Sequence, residues 1–352
     1  MNITFILPCY PHRPVGGFRI VYEYANELVK RGHHLTIIHP AFVVHPAYGN
    51  EAVNEDSPLP VPPVINWQNI DQRIEMKFVP YLGEEFIPDA DAIIATAWYT
   101  ADYVNQYSDT KGVKFYLIQS HEIWDGPEEL VNRTWHYPMH KIVVSKWLLN
   151  IGEKMKADSI IYIPNAIDHG KFHVTVPIEQ RPKKVAMLFS NQEIKGASDG
   201  LKAIVLAKKE IPELEVVCFG VSRRNKIIPK GIKYIRNPSQ KQLVEEIYNG
   251  CSIYLCPSWI EGWGLPSTEA MACGCALIST KNGGVEDFTE HNKSALLSPP
   301  KDPRKLADHI IRLANDDQLR IQMAKNGLET LRQFNYKHST DLFEDYLLSK
   351  VK

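Results

Sequence analysis

The stretch E-G-W-G-L-P-S-T-E sets two carboxylates, Glu261 and Glu269, at the ends of a tight glycine loop that opens into a helix. Carboxylates so placed accept hydrogen bonds from ligand hydroxyls, and the amides of a helix start favour an anionic group beside them. Pro266 suits the first helical position, where its missing N–H costs nothing, and Gly274 in M-A-C-G-C suits the stop. Glu269 is therefore expected near the first turn. A plainer use competes, in which Glu269 complements the helix dipole and Glu261 is a solvated loop residue. This stretch alone does not separate the two.

Other residues of suitable chemistry lie where strand-like runs end. Lys195 follows the apolar run from Val185 to Phe189 through the turn S-N-Q-E-I-K-G, at the edge where Glu261 and Glu269 are expected to converge. Loop lysines are ordinarily solvated, but one beside a helix N-terminus can pair with a bound phosphate. His121 and Glu122 close the run from Phe115 to Ile118, where a histidine can donate to a sugar hydroxyl or phosphate, or cap the turn. Gly16 and Gly17 follow the first strand and let backbone amides approach a phosphate or sugar; a tight strand-to-helix turn is the competing use. The pair is not G-x-G-x-x-G, so a dinucleotide fingerprint is unsupported. D-A-D, Asp89 to Asp91, imitates a metal-binding D-x-D tripeptide, yet at the entrance of an apolar strand it reads as a turn, and no metal site is expected.

Such residues need a scaffold that gathers strand ends. Short continuous apolar runs alternate with amphipathic helices, the pattern of parallel strands buried on both faces. In the first half the strands are read at Ile3 to Leu7, Leu35 to His39, Met76 to Val79, Asp91 to Thr96, Phe115 to Ile118, Ile142 to Val144 and Ile160 to Ile163. P-N-A-I-D, Pro164 to Asp168, breaks the alternation and marks a domain boundary. The second half restarts it with strands at Val185 to Phe189, Val216 to Gly220, Lys233 to Ile235, Ile253 to Ser258 and Cys275 to Thr280, and helices at Ala197 to Lys209 and Ser239 to Tyr248. A glycine pair in K-N-G-G-V-E-D-F follows the last of these strands. The fold class expected is α/β, with two doubly wound Rossmann-like domains, residues 1–165 and 166–335, facing across a cleft. The tail, about residues 336–352, is read as a helix whose stripe of Leu342, Phe343, Tyr346 and Leu347 docks back on the first domain. Pro40 to Pro63 is rich in proline and aperiodic, and is read as a long loop covering the site.

The 352 residues suffice for two cores, and 44% apolar with 23% charged residues is ordinary globular composition. A formal net charge of -1 indicates no nucleic-acid footprint. There is no C-x-x-C pairing, and Cys218, Cys256, Cys273 and Cys275 lie in or beside apolar or small-residue runs. A reduced, cytoplasmic chain without disulfides or zinc is expected. The start M-N-I-T-F-I-L-P lacks a signal peptide's basic region and long apolar core, and no apolar run reaches the roughly 18 residues of a membrane span.

Taken together, E-x7-E inside P-S-W-I-E-G-W-G-L-P-S-T-E-A-M-A-C-G, Gly16-Gly17, I-P-N-A-I-D and G-G-V-E-D-F resemble the retaining GT-B glycosyltransferases of family 4, over nearly the whole chain. The resemblance implies a GT-B fold and transfer of a sugar from a nucleoside-diphosphate sugar to a hydroxyl acceptor: a glycan, a lipid-linked glycan or a small molecule. It implies retained anomeric configuration by a front-face route in which the departing phosphate helps to deprotonate the acceptor, with no protein nucleophile, metal or cofactor. Glu269 would hold the ribose hydroxyls, Glu261 the donor sugar and Lys195 the diphosphate, while His121 stands beside the reacting sugar. Gly17, Gly262, Trp263, Gly264 and Leu265 would complete the donor site. One departure matters, because the family carries a diphosphate arginine where this chain has Ser190. A hydroxyl brings no charge, so a weaker grip is expected unless Arg19, Arg223 or Arg224 compensates. The rival implications are a GT-B nucleotide-sugar epimerase, which needs no acceptor, and a catalytically silent nucleotide-sugar binder. Polysaccharide assembly at the inner face of the cell membrane is the common setting, for which Arg13, Arg19, Lys30 and Arg31 are candidate peripheral contacts. Donor base, acceptor and oligomeric state are not written in the sequence.

Overall fold

Continuous apolar runs build two wholly parallel sheets in the computed structural model, which describes residues 1–43 and 60–351. The chain divides into two compact units, Met1–Asn165 with Tyr336–Lys352, and Ala166–Asn335.

In the first unit the order is β1 (Asn2–Ile6), α1 (Gly16–Lys30), β2 (His34–Pro40), β3 (Glu75–Val79), β4 (Ala92–Ala95), α2 (Trp98–Gln106), β5 (Val113–Ile118), α3 (Glu128–Thr134), β6 (His140–Val143), α4 (Lys146–Lys154) and β7 (Ile160–Tyr162). The strands lie β3-β2-β1-β4-β5-β6-β7, and the order reverses between β1 and β4. Every residue of β4 is buried, as a central parallel strand covered on both faces requires. Helix α1 starts at the glycine pair and ends where Gly32 turns the chain at φ +90°. Asp89 pairs with Lys111 at 2.9 Å and Asp91 accepts the amide of Asn2 at 2.6 Å, so D-A-D ties off a turn. Among the described residues no His, Cys, Asp or Glu cluster is suited to a metal ion, and no helix is long and apolar enough to cross a membrane. Residues 44–59, the bulk of the loop expected over the site, lie outside the described residues.

The second unit runs β8 (Lys184–Leu188), α5 (Ala197–Glu210), β9 (Glu215–Gly220), β10 (Lys233–Arg236), α6 (Gln240–Gln242), β11 (Ile253–Cys256), α7 (Leu265–Ala272), β12 (Ala276–Thr280), β13 (Ala295–Ser298), α8 (Pro303–Asn315) and α9 (Asp317–Leu331). Its sheet order is β10-β9-β8-β11-β12-β13, reversing between β8 and β11. Leu201 and Ile204 of α5, Leu306 and Ile310 of α8, and Val185 and Met187 of β8 share one core. The helix expected from Ser239 to Tyr248 is only partly regular. Ser239 and Gln242 cap one another to start α6, and Leu243–Tyr248 then widens into a π-helical stretch. Buried Arg181, unremarked in the sequence, donates to the carbonyls of Tyr248, Cys251 and Cys273 and to the Asn249 side chain, satisfying acceptors left at the ends of the π stretch and α7.

Last in the chain, α10 (Tyr336–Lys350) belongs to the first unit. Phe343 stacks on Tyr24 of α1 with ring centroids 4.5 Å apart and on Phe5 of β1 at 6.2 Å. Arg31 pairs with Asp341 at 2.7 Å and Glu344 at 2.5 Å, and His33 meets Glu344 at 2.7 Å. Of the stripe read from the sequence, Phe343 and Leu347 are buried, while Leu342 and Tyr346 are half-buried.

Candidate functional site

Where the second sheet reverses order, the carboxyl ends of β8 and β11 part and leave a crevice, the place where doubly wound sheets bind ligands. Two loops shape it. After β8, Phe189 still donates to Phe219 at 2.7 Å; the chain then turns through Ser190, whose hydroxyl accepts the Gln192 amide at 3.2 Å, into a 3-10 turn, Glu193–Lys195. Gly196 follows at φ +59°, and a Cβ there would stand 2.0 Å from the Pro257 carbonyl oxygen, so only glycine allows this close approach. The turn is fastened to the loop after β11: the Trp259 amide donates to Ile194 at 2.7 Å, and its indole N–H donates to Asp199 at 2.9 Å.

That second loop brings in Glu261, whose backbone amide donates to Asn282 at 2.9 Å. Gly264, at φ +99°, caps α7 and so fixes Leu265 as its first residue, with Pro266 second. The Lys195 ammonium donates to both carboxylate oxygens of Glu261, at 3.0 and 2.9 Å. Their side chains are 25% and 12% exposed, enough to be reached by a ligand and buried enough for the pairing to be only partly screened. Burial disfavours the lysine cation, but the Glu261 carboxylate outweighs it, and the Lys195 pKa lies above the ordinary lysine value. Cys256, Ser258, Gly264 and Ser267 line the same crevice. The two serines and Asn282, which anchors the Glu261 amide and accepts the Val285 amide at 3.1 Å, were not singled out in the sequence. An asparagine directly before a glycine pair is a turn signal that points to it.

Glu269 follows close behind the start of α7, as read from the sequence, but is buried. Because α7 begins at Leu265, Glu269 is its fifth residue, past the first turn, and is 2% exposed. Its Oε2 accepts the hydroxyl of buried Tyr248 at 2.9 Å, and it is not among the residues lining the crevice. Burial, and then this carboxylate, push the Tyr248 hydroxyl pKa well above the usual tyrosine value. Trp263 is likewise interior, packed against Phe288 at 5.1 Å and Phe334 at 5.2 Å, and its backbone abuts Gly284, where a Cβ would come within 2.5 Å. Gly262 and Gly264 are buried in the loop and Leu265 is half-buried at the helix start. Arg224 is spent on its own loop, donating to the carbonyls of Ile228, Pro229 and Ile232, so it does not stand in for the charge missing at Ser190.

The first unit gathers a second group at the carboxyl ends of β1, β4 and β5. Gln119 donates to the Gly17 carbonyl at 3.1 Å. His121 Nε2 lies 2.8 Å from Asn132 Oδ1, which orients the ring, and the ring meets Trp135 edge-on. Glu122 accepts the Trp98 amide at the start of α2, at 2.7 Å. Burial raises its carboxyl pKa to about 8, against the lowering effect of that amide, so Glu122 holds its proton at neutral pH.

Residues 170–330, within the second unit, match the family model described as Glycosyl transferases group 1. D-inositol 3-phosphate glycosyltransferase of Corynebacterium jeikeium is 27% identical over 177 residues, which is 46% of this chain and 42% of that protein. A probable sucrose-phosphate synthase of Vicia faba is 33% identical over 84 residues, 24% of this chain and 8% of that protein. The matches thus span less than half the length of these curated relatives. Among solved structures, sucrose-phosphate synthase from Thermosynechococcus elongatus superposes with a TM-score of 0.77 at 16% identity, covering 99% of this chain and 98% of that one. Anabaena Alr3699/HepE in complex with UDP-glucose gives 0.76 at 14% identity, covering 99% and 100%. The architecture of this chain, two Rossmann-like units of parallel sheet, is the GT-B fold.

Proposed function

We propose that this chain is a glycosyltransferase that moves a sugar from a nucleoside-diphosphate sugar to a hydroxyl acceptor, with retention of anomeric configuration and without a metal. The observation that carries this reading is the Lys195–Glu261 pair, held in the crevice at the switch point of the domain that matches the group 1 model. Lys195 supplies the cation for the diphosphate, and the start of α7 supplies amides beside it. As the bond from the sugar's anomeric carbon to the diphosphate oxygen breaks, negative charge grows on that oxygen, and a preplaced ammonium stabilises it. The acceptor oxygen bonds to the same face of that carbon, and its proton passes to the departing phosphate. Glu261, released from Lys195, accepts from donor-sugar hydroxyls; Glu269, whose Oε2 accepts the Tyr248 hydroxyl, holds the ribose hydroxyls. His121 of the first unit, oriented by Asn132, acts beside the reacting sugar.

HepE is known in complexes with UDP and UDP-glucose, which makes UDP-sugars the first donors to test. The names of the two curated relatives described above each carry a phosphorylated polyhydroxy compound, so sugar and polyol phosphates belong in the acceptor panel beside glycans and lipid-linked glycans. The cytoplasmic face of a membrane is the proposed setting. The test is calorimetric titration with UDP and turnover of UDP-glucose by the parent chain and Lys195→Ala. Loss of affinity together with loss of turnover is expected. Unchanged values for both would remove the diphosphate assignment, and sugar interconversion in donor alone would identify an epimerase instead.

A further inference from the structure

Two of the four basic residues of the first unit that suggested a membrane contact are neutralised where they stand. Lys30 pairs with Glu27 at 2.6 Å, and Arg31 is held by Asp341 and Glu344. The second unit carries a different surface. Residues 221–241 hold seven Lys or Arg and no Asp or Glu, in a chain whose net charge is -1. The segment runs from the end of β9 as a loop, residues 221–232, which carries Arg223, Arg224, Lys226 and Lys230, and continues through β10 to the start of α6; the loop's tip, Ile227 and Pro229, shares an open groove with Lys202 and Val205 of α5 and Arg304 of α8. Ile227 is 53% exposed and Val205 41%; Val176 is the one other exposed large hydrophobic side chain among the described residues of this unit. Lys226 and Lys230 flank the tip and are both exposed.

We propose that this groove and its basic rim form a docking surface for an anionic lipid bilayer. Neither signal alone holds a protein to a membrane; a few exposed aliphatic groups give marginal insertion, and a few lysines give a screened attraction. Here both occur on one face, and the tip is aliphatic rather than aromatic, which suits insertion among acyl chains better than stacking on nucleic-acid bases. The charge is open to headgroups. The two acids next in sequence to groove residues are engaged: Asp199 accepts from the Trp259 indole and lies 3.9 Å from Lys202, and Asp302 caps α8 through the Lys305 amide. The loop's shape is kept by Arg224, which binds three of its carbonyls, so the apolar tip is presented without help from a partner. The surface deepens the membrane setting of the proposed function, and vesicle binding tests it without reference to sugar transfer.

The test is co-sedimentation of the full chain with vesicles of phosphatidylcholine alone and of phosphatidylcholine mixed equally with phosphatidylglycerol, at low and high salt. Binding to the mixed vesicles alone, weakened by salt, is expected. The double variant Lys226→Glu/Lys230→Glu and the single variant Ile227→Asp should each lower the partition coefficient by roughly tenfold or more. Their thermal midpoints should match the parent's, since all three side chains are exposed. The control Arg13→Glu/Lys30→Glu in the first unit should bind as the parent does. Absence of binding to mixed vesicles, equal binding to both vesicle types, or loss of binding only in the first-unit control would each overturn the proposal.

Discussion

In the free chain Lys195 gives its hydrogen bonds to Glu261, so an arriving diphosphate has to compete with a carboxylate already in place. Glu261→Gln tests this directly. The amide oxygen still accepts one hydrogen bond from the ammonium but carries no charge, so the ion pair with bonds at 3.0 and 2.9 Å is lost. A hydrogen bond between charged groups contributes about 1.5–3 kcal/mol when buried and an exposed pair about 1 or less, so losing the second bond and the charge at this partly exposed pair frees the lysine by roughly 1–2 kcal/mol. That corresponds to about a 5- to 30-fold gain in affinity for UDP. The same substitution removes the acceptor proposed for donor-sugar hydroxyls, so turnover of UDP-glucose should fall while UDP inhibits more strongly. Calorimetry at fixed ionic strength measures the first effect and a coupled UDP-release assay the second. Weaker binding of UDP to Glu261→Gln would refute the exchange, because it would place Glu261 on the nucleotide rather than on the lysine that receives it.

Three further outcomes follow from the same geometry. Gly196→Ala forces a Cβ against the Pro257 oxygen at φ +59° and should displace the lysine turn, reducing UDP affinity at least about tenfold, whereas Gly231→Ala, with open space around it, should bind as the parent does. Tyr248→Phe removes the hydroxyl on buried Glu269 and should lower stability to urea by about 1–3 kcal/mol; an unshifted unfolding midpoint would mean that this bond contributes nothing. Glu122 stays protonated in the fold up to about pH 8 but ionises near its ordinary 4.5 when unfolded, so the native state binds more protons between those values. Its contribution is complete below pH 4.5 and is lost as pH rises through 8, with a slope of up to about 1.4 kcal/mol per pH unit, and Glu122→Gln should flatten the stability profile across that window.

Most of the scaffold was legible because parallel strands buried on both faces write themselves as short apolar runs. β1, β4, β5, β8 and β11 lie where those runs stand, and the break at Pro164 to Asp168 contains the division between units. The glycines were legible for the same kind of reason: Gly32 and Gly274 stop helices in a conformation that only glycine adopts cheaply. What escaped depends on partners distant in sequence. The depth of Glu269 is set by Gly264, which starts α7, and by Tyr248, carried inward on a π-helical stretch that reads as ordinary helix. The pairing of Lys195 with Glu261 joins residues 66 positions apart, and residue spacing predicts only that both reach the same sheet edge. The basic groove was missed because its halves lie on a loop and on two helices, each of which looks like an ordinary solvated surface.

The return of α10 to the first unit also orders events on the ribosome. Residues 166–335 are contiguous and can close their core soon after they emerge, whereas Tyr24 and Phe5 wait for Phe343, some three hundred residues of synthesis later. Until then the first sheet exposes an aromatic seam that chaperones can recognise. A released chain truncated before Tyr336 should therefore have a second half that resists protease while its first half is cut.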